Sequence, residues 1–125
     1  MIWPRKRATC NIEAGCVYSV ERSNGHFGIV KILAFEPHND IVYARVYKTR
    51  FDSRSRNDQL TEEYRKAANI LPKLGMDIGV LPVTQRVFNY WKPELLFRQE
   101  IIDEEKENLA ECFGLAKPWD DLKHP

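Results

Sequence analysis

With 125 residues, 43% of them hydrophobic and 30% charged, the chain has the make-up of one globular domain and too little length for two. Three tryptophans and six phenylalanines exclude a disordered chain. Nineteen basic against 18 acidic residues, a net charge of +1, exclude any whole-molecule pull toward nucleic acid or anionic lipid, so such attraction has to be local.

Residues 1–14 read as a lead-in, with Pro4 and the basic cluster Arg5, Lys6 and Arg7. No apolar stretch of about 7–15 residues follows, so no secretory signal is expected. Nor does any apolar run approach the roughly 20 residues that span a bilayer. Gly15 opens a strand, CVYSVER, in which Val17, Ser19 and Glu21 alternate with Tyr18, Val20 and Arg22. Asn24-Gly25 predicts a type I′ hairpin turn, which needs positive φ at both central residues. His26 to Phe35 then reads as a central strand, apolar on both faces. Phe27, Ile29, Leu33 and Phe35 are expected to face one way, and Val30, Ile32 and Ala34 the other. Gly28 within it marks a bulge or a close backbone approach. EPHND supplies a turn and IVYARVYKTRF a third strand. The three strands form an antiparallel meander, expected to curl into a half-barrel.

After Phe51 the period changes. DSRSRND is a polar connection, and apolar residues at Leu60, Tyr64, Ala67, Ala68 and Leu71 predict a one-sided helix, capped by Asp58 and ended by Pro72. IGVLPV returns as a short edge strand, because Pro82 bars a central place. Thr84 caps a short helix through Trp91, stopped by Lys92-Pro93. ELLFRQEI suits strand or helix and is read as strand. Asp103 caps a last helix with Leu109, Ala110 and Phe113 inward and Gly114 as its stop. The fold class is therefore α+β: a curled antiparallel sheet, a meander or partly open barrel, with two to three helices. A single domain spans 1–125, with its core over 15–113 and a surface tail over 114–125.

Residues that carry chemistry are sparse. Of the three histidines, His124 is next to last, His38 lies in a turn, and His26 follows Asn-Gly, where a polar side chain reaches water as a hairpin ends. There is no G-x-S-x-G, no H-E-x-x-H, no phosphate-binding loop and no dinucleotide fingerprint. Cys10, Cys16 and Cys112 are odd in number and lack CxxC spacing, which argues against a disulfide framework and a zinc site. A Cys10–Cys16 bridge stays open, with free thiols in a reducing cytoplasm the first expectation. The chain is expected to be cytoplasmic and not an enzyme, with no metal and no cofactor.

Two charged stretches remain as candidate binding surfaces. Between Arg45 and Arg56 lie five basic residues and one acid, and Tyr43, Arg45 and Tyr47 share one strand face. A sheet can use that spacing to stack rings on bases and set cations against phosphates, although an ordinary solvent-facing strand looks the same. The opposite patch is EIIDEEKENLAE, residues 100–111, with six acids and one lysine. It is either a solvated helix face or a surface that docks a basic partner, with Asp103, Glu104 and Glu107 at the contact.

Gly15-x-Val17-Tyr18, then Asn24-Gly25-x-Phe27-Gly28-x-Val30-Lys31, then Val46-Tyr47, and finally Leu81-Pro82-Val83-Thr84 leading to Phe88, Trp91 and Pro93, form a pattern over residues 14–95. That pattern resembles small bacterial proteins of the immunity protein 26 type and their uncharacterised relatives. Its motifs are hydrophobic and turn positions, so the resemblance implies a fold more than a site. It also implies an inhibitor that binds and neutralises a toxin and has no active site of its own; no family binding residues transfer. Arg54 to Met76 stands as an insertion relative to the pattern, and the Pro-containing tail is untypical of it. The expected function is a non-catalytic, toxin-binding inhibitor acting through Tyr43, Arg45 and Tyr47 or through Asp103, Glu104 and Glu107. The alternative is a nucleic-acid-binding module using residues 43–56.

Overall fold

The computed structural model describes residues 12–53, 77–112 and 117–125. The basic lead-in, Cys10, the helix expected over Leu60–Leu71, and Phe113 with Gly114 lie outside the described residues. Five strands, β1 (Cys16–Glu21), β2 (Phe27–Glu36), β3 (Ile41–Tyr47), β4 (Asp77–Val83) and β5 (Glu94–Arg98), form one sheet in the order β4-β3-β2-β1-β5. Every pairing in it is antiparallel. Among the described residues there are two α-helices, α1 (Gln85–Tyr90) and α2 (Asp103–Cys112). The fold is α+β, and the sheet stays open instead of closing into a barrel.

Local chemistry explains most of these elements. Asn24 (φ 62°, ψ 29°) and Gly25 (φ 75°) supply the two positive φ values of the hairpin, and His26 N donates to Ser23 O at 3.3 Å. β4 carries Pro82 and lies at an edge, as a missing backbone donor requires. Thr84 caps α1, its hydroxyl accepting from Val87 N.

β2 departs from strict alternation. Ile32 pairs with Ala44 but Ala34 with Tyr43, so Leu33 is the extra residue of a bulge. Beyond it the faces exchange: Phe35 packs with Val30 and Ile32 instead of joining Ile29. Gly28, by contrast, sits in regular register opposite Val20. What approaches it is the Arg22 side chain, whose Cδ would lie 2.9 Å from a Cβ at that position.

One face of the sheet is apolar. Tyr18, Val20, Val30, Ile32, Val42, Ala44 and Val46 are buried there beneath Val87 and Phe88 of α1 and the following Trp91. Phe88 meets Tyr18 and Trp91 edge-on, at centroid distances of 5.4 and 5.9 Å. Each such side chain stabilises the fold by roughly 1.5–3 kcal/mol.

The tail, largely exposed over 117–125, is tethered to the sheet edge. Trp119 N donates to Pro82 O at 2.8 Å and Trp119 O accepts from Thr84 N at 2.9 Å, in a parallel bridge beside Val83. Trp91 Nε1 donates to Lys123 O at 2.7 Å, and His124 stacks on Tyr90. The reason is the edge itself: backbone groups of β4 left open there gain partners from the strap.

Candidate functional site

The second face of the sheet is built around charge. Lys31 of β2 and Arg45 of β3 are direct cross-strand partners, and each is only 1% exposed. Two like charges directly opposite each other destabilise a sheet, and burial removes the water that would screen them. Glu105 of α2, fully buried, resolves the conflict. Its Oε1 accepts from Lys31 Nζ and its Oε2 from Arg45, both at 2.8 Å. Lys31 fills its remaining donors with Glu100 O at 2.6 Å and Gln99 Oε1 at 3.0 Å. Glu105 Oε1 also accepts from Ile102 N at 3.1 Å, satisfying a donor at the start of α2. The Arg45 guanidinium lies 5.8 Å from the Tyr47 ring centre.

This arrangement redistributes the predicted contact residues. Tyr43, Arg45 and Tyr47 are buried, at 1%, 1% and 0% exposure, and offer no surface to a base or a protein. The physical reason is position: β3 is an inner strand, paired on both sides by β2 and β4, and α2 reaches across to Arg45. Tyr43 hydroxyl donates to Glu36 at 3.0 Å, and burial first, then that carboxylate, pushes its pKa up to about 12. Asp103, Glu104 and Glu107 behave oppositely. All three are exposed on α2, together with Glu111, and Lys106 reaches only to within 3.8 Å of Asp103.

α2 itself differs from the amphipathic helix expected. Ala110 is exposed and Leu109 half-buried, and the one buried residue of α2 is Glu105. Sequence reasoning missed Glu105 and Lys31 as a pair. The signal was present in part: a single lysine inside an otherwise apolar strand requires an anion, although nothing in the spacing says which.

His38 is exposed in its turn, and His26 Nε2 lies 3.6 Å from Asp52. Cys16 and Cys112 are free thiols. Among the described residues no three His, Cys, Asp or Glu side chains converge as metal ligands, and no helix is long and apolar enough to cross a membrane. In comparisons with known proteins, no family model, no curated protein and no solved structure matches the chain.

Proposed function

We propose that the chain is a non-catalytic, cytoplasmic binding protein, an immunity-type inhibitor that neutralises a bacterial toxin by docking a basic surface of it on the outer side of α2. The observation that carries this reading is the sorting of charge across the sheet. Glu105 holds α2 to Lys31 and Arg45 from inside, which leaves Asp103, Glu104, Glu107 and Glu111 facing solvent on the same helix. Among the described residues the buried charges are Arg22, Lys31, Arg45 and Glu105, which holds a net +2 away from the surface. An acidic face on a rigidly placed helix speeds encounter with a basic partner and rejects acidic ones. The burial of Tyr43, Arg45 and Tyr47 weighs against the nucleic-acid alternative, which needs them at the surface.

Capture from host lysate, with and without nuclease, identifies the partner. Association of the purified pair is then followed by stopped flow. The double variant Glu104→Lys, Glu107→Lys should fold normally and associate roughly tenfold or more slowly at low salt. Equal association rates, or a partner lost on nuclease treatment, would overturn the reading.

A further inference from the structure

A second feature lies away from α2, at the turn end of the sheet. There the β1–β2 hairpin and the C-terminal strap enclose a cavity of about 260 Å³, lined by Arg22, Asn24, His26 and His124 among others. Arg22 is 5% exposed, and its NH1 donates to Tyr47 O at 3.0 Å. Its Nε is buried without a hydrogen-bond partner, as are Nδ1 of His26 and Nδ1 of His124. Buried polar nitrogens are rarely left unmade, and three on the residues of one cavity call for a common explanation.

Charge points the same way. Among the described residues no carboxylate pairs with Arg22; burial first, and then the neighbouring Arg50, lower its pKa. Two carboxylates stand nearby, and each has a partner other than Arg22. Glu21, which also lines the cavity, lies 3.8 Å from Lys92, and Asp52 lies against His26 at 3.6 Å. Nor is the guanidinium there by default. The absent Cβ of Gly28 makes its passage, since one would lie 2.9 Å from Arg22 Cδ and 3.1 Å from Cγ, and Tyr47 O anchors its far end.

We propose that this cavity binds a phosphate-type oxyanion, carried as a small phosphate monoester, with Arg22, His26 and His124 as its donors. A buried guanidinium without a counter-ion is matched by a dianion that brings its own charge. Three donor side chains, two from the hairpin and one from the strap, suit a group with three acceptor oxygens better than a planar carboxylate with two. The volume falls below the roughly 300–1,000 Å³ of drug-sized sites, which restricts the rest of the ligand to a few heavy atoms. This site is independent of the acidic face of α2 and of any toxin.

The test is a titration of the full chain with inorganic phosphate, glycerol phosphate and acetate, read by NMR at the imidazole protons of His26 and His124 and at the Arg22 Nε–H. Saturable shifts of all three groups with the phosphates, and none with acetate, are expected. Tighter binding of glycerol phosphate assigns the source to an ester, and tighter binding of inorganic phosphate assigns it to the free ion. Arg22→Met should weaken binding tenfold or more. His124→Ala, next to last in the chain, keeps the fold and should weaken it severalfold even if the arginine variant does not fold. No saturable shift, equal response to acetate, or unchanged affinity in His124→Ala would overturn the proposal.

Discussion

Replacing Glu105 with glutamine tests whether one carboxylate carries the charged face of the sheet. Glutamine keeps the length and one acceptor but removes the charge between Lys31 and Arg45, which face each other across β2 and β3 and are each 1% exposed. Removing one partner of a buried ion pair costs about 3–5 kcal/mol. Here the one carboxylate faces two buried cations at once, so the upper half of that range applies. Against a total stability of about 5–15 kcal/mol, the loss is a large fraction of what holds the fold. It corresponds to a fall in Tm of about 10–20 °C for a domain of this size. Urea unfolding followed by tryptophan fluorescence measures it, with an unchanged m-value showing that the native surface is intact. Lys31→Met is the informative partner variant. It keeps the apolar stem and leaves Arg45 and Glu105 as a balanced pair, so it should cost only about 1–3 kcal/mol. Glu104→Gln, on the exposed side, should stay within about 0.5 kcal/mol. A loss below about 1 kcal/mol in Glu105→Gln, or a larger loss in Lys31→Met than in Glu105→Gln, would refute the reasoning.

Other outcomes follow from single contacts. Gly15 has φ +91°, and a Cβ there would lie 2.9 Å from the backbone oxygen of Gln99, so Gly15→Ala should destabilise by about 1–3 kcal/mol in the same melts. Hydrogen bonds from Arg86 first, then Thr84, hold the Asp120 carboxyl below the usual aspartate range. Its hold on the C-terminal strap is therefore complete above the ordinary value of about 3.9 and is lost as pH falls through the lower folded value. Limited proteolysis checks this: Asp120→Asn should release the strap at neutral pH, and an equally protected strap would count against it. Burial first raises Tyr18, and likewise Tyr43, to about 12. Both favour the fold below pH about 10, and that contribution is lost as pH rises toward 12. Ultraviolet titration should show Tyr18 and Tyr43 ionising late, and the stability falling above pH about 10.

Much of the fold was legible because it rests on local rules. Asn24-Gly25, Pro82 and Thr84 each fix a backbone conformation or a missing donor within a few residues, and each element they predict is present. The bulge at Leu33 was not legible, because a bulge is set by the pairing partner and β2 carries no residue that demands one there. Gly28 was read as a bulge or a close backbone approach, whereas the group that approaches it is the side chain of Arg22, just after β1. The candidate site was half legible. A run of exposed acids is visible in any sequence, whereas the fate of Arg45 depended on whether β3 lay at an edge, which only the sheet order decides. The docking of the tail was hidden for a related reason: its backbone bonds use almost any residue type, and side chains such as Asp120 and His124 add to them.

Two buried charged sites among the described residues, the Glu105 triad and Arg22, differ in a way that bears on what each is for. α2 has ten residues and one buried side chain, so neither its own helix propensity nor an apolar stripe fixes where it sits. Glu105 supplies that missing information. Its two oxygens address two cations on different strands, and a helix displaced by one residue would present Glu104 or Lys106 instead, losing the geometry or inverting the charge. Directional pairing of this kind sets register where apolar contact would tolerate sliding, and it leaves the acids on the outer side of α2 in fixed positions. The triad is thus accounted for within the chain. Arg22 is also buried, at 5% exposure, but among the described residues no carboxylate pairs with it, and its neighbour Arg50 places a like charge beside it. Among the described residues its side chain makes one hydrogen bond, to Tyr47 O, which leaves its charge to the oxyanion proposed above.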